Sequence, residues 1–240
     1  MRNLWIGGGV AAIGAIAILA YLALGQSSPP SSPEASGETT ASTDAAAADA
    51  PAVQLEIFPD DRILGSADAP VTIVEYASMT CSHCARFHVG TLPKVKTEFI
   101  DTGKARLVFR DFPLDKVALS ASLLARCVQG DAYFNLLDVL FRSQEDWSRA
   151  ADPVVALRQI GRTAGLEESA IEQCMTDQAT IDRIAARFKE ASEKLQVNST
   201  PTLFINGAMQ KDALPFDDYE VDGAMQPGFA KLIKDRLPAE

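Results

Sequence analysis

The sequence predicts an α/β domain whose sheet is interrupted by an all-helical insertion, and three observations carry that expectation. An apolar run from Pro70 to Ala77 leads into Cys81-Ser82-His83-Cys84 and then into a helical stretch. From Lys116 to Leu195, about 80 residues, the pattern is helical throughout. Beyond it, Thr202-Leu203-Phe204-Ile205 meets Asn206-Gly207, a strong hairpin signal.

Each element follows from its own pattern. Pro70 to Ala77 is apolar on both faces, as a central strand must be. Cys81 opens a helix running towards Ile100, with Phe87, Val95 and Phe99 on its buried side and a kink expected from Pro93 near Val89 or Gly90. Asp101-Thr102-Gly103 ends it, and Ala105 to Arg110 reads as the second strand. In the helical block, one apolar stripe is Ala118, Leu119, Ser122 and Leu123. A second is Phe134, Leu137, Leu140 and Phe141, and a third Val154, Leu157 and Ile160. Gly130, Gly161 and Gly165 punctuate these helices. After the hairpin turn a short returning strand is expected near Gln210 to Ala213, and Gly228 to Leu237 closes the chain as a helix.

The 240 residues divide unevenly. Residues 1–25 are almost wholly apolar apart from Arg2 and read as a signal-anchor or signal peptide, because the core from Ile6 to Leu24 just reaches the length that spans a bilayer. Residues 26–52, rich in Ser, Pro, Ala, Thr and acidic side chains, read as a disordered linker. Arg2 and the amino terminus then stay cytoplasmic, and the domain lies outside, periplasmic or otherwise extracytoplasmic, tethered or released. A formal net charge of −10 argues against a nucleic-acid partner, which needs a basic footprint. Four cysteines in an exported chain suggest two disulfides. Three pairings are formally open; Cys81 and Cys84 are the obvious local couple, leaving Cys127 and Cys174.

Cys-x-x-Cys at a strand-to-helix junction has a physical logic. Over the first helical turn the two sulfurs come close enough to bond. The first also faces unpaired backbone N–H groups and the positive end of the helix dipole, which stabilise a thiolate. The pattern points to thiol–disulfide exchange.

Three segments together resemble the DsbA family: Cys81-Ser82-His83-Cys84; Arg110-Asp111-Phe112-Pro113-Leu114; and Ser199-Thr200-Pro201-Thr202-Leu203-Phe204-Ile205-Asn206-Gly207. The resemblance covers roughly residues 53 to 238. It implies a thioredoxin fold, residues 53–115 and 196–240, with a helical insertion at 116–195. It further implies an exported thiol:disulfide oxidoreductase that introduces disulfide bonds, a reductase or isomerase being the alternative with the same site. Cys81 is then the exposed nucleophile and Cys84 its buried partner, with His83 stabilising the Cys81 thiolate. Ser82 departs from the proline of the best-known family oxidase and stands where the redox potential is tuned. Thr200-Pro201 matches the family's cis-proline, whose preceding backbone pairs with an extended substrate peptide. Glu75 stands where the family has a buried acid, able to take the Cys84 proton; a surface glutamate is the plain alternative. Cys127 and Cys174 are expected to form a second, structural bridge.

Reduced or unfolded exported proteins are the partners implied, with a membrane thiol oxidase or reductase for recycling. No cofactor is expected, and the chain is expected to be a monomer. Two other classes compete. A zinc module needs a second ligand pair that the sequence does not supply, and a redox-inert peptide-binding domain has no use for both cysteines. His88, one turn beyond Cys84, reads as a packed or solvent-facing histidine, and Trp147, Tyr133, Phe134 and Phe141 as core. Phe58, Phe112 and Phe216 are candidates for the rim of a peptide groove.

Overall fold

The computed structural model describes residues 52–210, 212 and 214–239. The expected anchor and almost all of the linker lie outside them. Among the described residues no helix is long and apolar enough to cross a membrane.

Strand β2 (Val71–Ala77) forms because its β-branched residues fit a pleat buried on both sides; only Thr72 is not fully buried. It pairs in parallel with β3 (Ala105–Asp111), matching Ile73 to Leu107 and Glu75 to Phe109. A parallel pair needs a crossover, and the chain from Ser82 to Ile100 supplies it. That crossover alternates α1 (Ser82–Arg86), a π-helical turn (Phe87–Thr91), α2 (Leu92–Val95) and a second π-helical turn (Lys96–Ile100). The wide turn at Phe87–Thr91 lies where Pro93 removes a helical hydrogen bond, so the expected disturbance takes the form of π geometry. Phe87, Val95 and Phe99 are buried, as their spacing predicts.

The sheet order is β1-β3-β2-β4-β5, with β1 (Arg62–Leu64), β4 (Thr202–Ile205) and β5 (Ala208–Gln210) all antiparallel to their neighbours. The returning strand begins earlier than Gln210. Asn206 and Gly207 both take positive φ and close a two-residue turn, so pairing restarts at Ala208. A second hairpin, β6 (Tyr219–Val221) and β7 (Ala224–Gln226), turns on Asp222-Gly223 by the same device. Helix α9 (Phe229–Lys234) completes the layer over Phe87.

Six helices fill the span between the sheet halves: α3 (Lys116–Ala125), α4 (Asp131–Arg142), α5 (Gln144–Ser148), α6 (Pro153–Thr163), α7 (Glu168–Met175) and α8 (Gln178–Lys194). Asp115, Asp152 and Asp177 cap three of them, each accepting a backbone N–H. Leu124, Tyr133, Leu137, Leu140, Phe141 and Trp147 form a core that continues onto Ala77, Met79, Cys84 and Phe109 of the sheet side. Four stripe residues depart from full burial, Leu119 and Ile160 being only partly buried. Val154, in the first turn of α6, is 37% exposed, while Leu157 carries the contact; Phe134 is only partly buried.

Cys127 and Cys174 are bridged, joining the end of α3 to α7 at a Cα separation of 5.6 Å. The other sheet face packs Val74, Tyr76, Val108 and Phe204 under Phe112, Ala191 and Val197. At the entry to the domain, Arg110 pairs with Asp61 at 2.7 Å and lies over the Phe58 ring. Arg187 of α8 covers the same ring, and Asp60 pairs with Arg183 at 3.1 Å.

Candidate active site

The end of β2 delivers Ser78-Met79-Thr80 as a short loop and then Cys81, the N-cap of α1 with extended backbone (φ −80°, ψ 119°). The loop is held at several points. The Cys81 N–H donates to the Ser78 carbonyl at 3.1 Å, and the Thr80 hydroxyl donates to Asp115 at 2.7 Å. Both Nε2 hydrogens of Gln144 are used, one on the Met79 carbonyl at 2.8 Å and one on the Cys81 carbonyl at 2.9 Å.

Cys81 and Cys84 are thiols here, the first partly exposed and the second buried. The Cys81 thiol is lowered to about 5. Its hydrogen bond with Cys84 is the largest cause, burial opposes it, and Thr200 and the backbone N–H groups of Cys84 and His83 add to it. As a thiol, Cys81 donates to the Thr200 carbonyl at 3.2 Å. That contact serves only the neutral form. The Thr200 hydroxyl is buried without a partner. Cys84 moves the other way, pushed well up by burial first, then by the Cys81 sulfur and the charge of Glu75.

Glu75 is fully buried, which removes the surface reading. Its Oε2 is 2.9 Å from His88 Nε2, and its Oε1 has no partner. His88 is buried as well, stacked on Phe141 at 4.1 Å between ring centroids and set edge-on to Phe109. Glu75 and Cys84 are both buried, the charge of Glu75 acts on the Cys84 thiol, and His88 is the partner of the acid.

The other expected residues fall into two groups. Thr200-Pro201 is a cis peptide, and Pro201 is buried beside the pair. Ser82 and His83 have exposed side chains, and among the described residues neither is hydrogen-bonded to the Cys81 sulfur; His83 contributes its backbone N–H. Phe112 and Phe216 are buried, on Phe188 and Phe99 respectively, and Phe58 lies between two arginines, so none of the three rims an open groove. The sequence reading took His88 for a packed or solvent-facing histidine; it is packed, and its position one turn past Cys84 was a usable signal of its place beside the site. It missed Gln144 altogether, which no local pattern marks.

A parallel-centred sheet crossed by a helix that opens on a thiol pair, facing a cis-proline, defines the thioredoxin-fold class with a helical insertion. The family model described as thioredoxin matches residues 58–221. Wolbachia pipientis alpha-DsbA1 is 34% identical, with a TM-score of 0.61 over 75% of this chain and 89% of that one. Oxidised BdbD from Bacillus subtilis, 24% identical over 64% of this chain and 85% of its own, shares the fold at a TM-score of 0.56. A Rickettsia bellii protein named as a protein-disulfide oxidoreductase is 32% identical over 162 residues, 67% of this chain; the match spans 62% of that relative's length. The chain belongs to the thioredoxin family, as a DsbA-like member.

Proposed function

We propose that the chain is a thiol:disulfide oxidoreductase that donates the Cys81–Cys84 disulfide to exported proteins. One observation carries the reading: two thiols on one helical turn are driven apart, Cys81 down to about 5 and Cys84 well up. A sulfur that is stable as a thiolate is a good leaving group, and stabilising it favours the reduced pair, which makes the disulfide oxidising.

In the oxidised protein a substrate thiolate attacks Cys81 Sγ and the Cys81–Cys84 bond breaks. Cys84 leaves and is protonated by way of Glu75, whose carboxylate accepts one proton from solvent, passes it to the sulfur and ends as it began, hydrogen-bonded with His88. The second substrate thiolate attacks the substrate sulfur of the mixed disulfide and expels the Cys81 thiolate. Two electrons have passed from the substrate dithiol to the pair. Thr200 and Pro201 line the place where an extended substrate pairs its backbone, and Ser82 and the exposed His83 act on the potential through dipole and charge.

The implied recycling partner is a membrane thiol oxidase, and the implied location extracytoplasmic, tethered or released according to the fate of residues 1–25. The R. bellii relative's name and the likeness to alpha-DsbA1 support this reading. Equilibrating the protein with glutathione buffers tests it. A potential near the −120 mV or so of strong disulfide donors is expected, and one near about −270 mV reverses the direction to reductase. A pair that does not cycle sinks the enzyme.

A further inference from the structure

We propose that Gln144, a residue of the helical insertion, is a positioning residue for the redox pair. Its single amide nitrogen holds the carbonyls of Met79 and Cys81, and so aims the first-turn N–H groups of α1 at the Cys81 sulfur.

The geometry is specific to a primary amide. Two carbonyls, two residues apart in one loop, are each within 2.9 Å of the same nitrogen, and a neutral side chain needs an NH2 group to satisfy both. Gln144 and Met79 are buried, so the Met79 carbonyl has no ready access to water as a substitute. The amide is itself fixed from behind. Trp147, 1% exposed, donates its indole N–H to Leu140 at 2.7 Å and locks α5 against the end of α4. Ser143, between the two helices, donates to Val139 at 2.7 Å.

The Cys81 carbonyl also accepts the Ala85 N–H at 3.1 Å, the first hydrogen bond of α1. Holding that carbonyl fixes the peptide plane between Cys81 and Ser82 and, through the Ala85 hydrogen bond, anchors the first turn of α1, whose His83 and Cys84 N–H groups favour the thiolate. Cys81 has no side-chain cap of its own, so the loop rather than a cap orients this turn. The other clamp, Thr80 on Asp115, holds the loop but touches no carbonyl of the turn. The inserted helices thus contribute to the redox chemistry through one side chain. The titratable group facing Cys81 is the Cys84 thiol, and Gln144 adds no charge of its own.

This rests on Cys81 being the reactive thiol, but its test does not need turnover. In Gln144→Met, of similar volume and without donors, the pH midpoint of Cys81 alkylation in the reduced protein is expected to rise by about one unit. That is a tenfold weaker hold on the thiolate, which makes the pair about 30 mV less oxidising. Thermal melting checks that the variant is folded. A folded Gln144→Met that alkylates with the wild-type pH profile overturns the proposal.

If the variant does not fold, the wild-type protein decides. Gln144 side-chain amide hydrogens protected from exchange in the reduced protein support the clamp, and freely exchanging ones overturn it. Failure of the wild-type pair to cycle with glutathione would sink the oxidoreductase reading while leaving these titrations interpretable.

Discussion

Cys81 and Cys84 are the same chemical group in opposite surroundings, and the residues that make the difference come from four separate places in the chain. Gln144 and Thr200 act on the first sulfur, Glu75 and His88 on the second. Glu75 is the group to remove first. Glu75→Gln keeps the shape but cannot take up and pass on the proton Cys84 needs. Oxidation of a dithiol peptide, followed by stopped flow, should slow on the order of a hundredfold, while Cys81 still titrates near 5. An unchanged rate would remove Glu75 from the mechanism. The cysteine pair was fully legible in the sequence, since a helix N-terminus and a two-residue spacer are local facts. His88 and Gln144 were not, because their partners lie 13 and 63 or more residues away in sequence and only packing brings them together.

At the scale of elements, periodicity served where burial is two-sided or helical and failed where strands are short. β2, β3, β4 and the helical block follow their apolar patterns, whereas β1 is three residues with no alternation to detect. The β6–β7 hairpin was overlooked even though Asp222-Gly223 carries the same turn chemistry as Asn206-Gly207; its strands are three residues each and mostly exposed, too short for an alternation to stand out. The bridge between Cys127 and Cys174 closes a loop inside the insertion, apart from the redox pair. Replacing both with alanine should cost about 4 kcal/mol of stability in the chain-entropy account, read by urea unfolding. The Cys81–Cys84 potential should stay where it was, because neither cysteine touches the active-site loop. A shift in potential would mean that the bridge acts on the site.

At the scale of the whole molecule, the lowered Cys81 thiol links folding to pH. Its folded value, about 5, lies below its ordinary value of 9.0, so the reduced fold gains stability that is fully present above 9.0 and is lost as pH falls through 5. The reduced protein should therefore gain stability from pH 5 to pH 9 relative to a Cys81→Ser variant, and thermal melts across that range measure it. Parallel curves for the two proteins would show that Cys81 is not held as a thiolate.

The clamp at the domain's entrance has a mechanical consequence. Phe58 is gripped between Arg110 and Arg187, and Asp60 and Asp61 are tied to Arg183 and Arg110. A pull on the chain ahead of Val53 is met first by the Val53 N–H on the Gly207 carbonyl at the β4–β5 turn, and then by β3 and α8 through Phe58, Asp60 and Asp61; none of these elements carries a sulfur of the redox pair. The latch works as strain relief, letting a load on the leading segment be absorbed before it can deform the loop that sets the reactivity of Cys81.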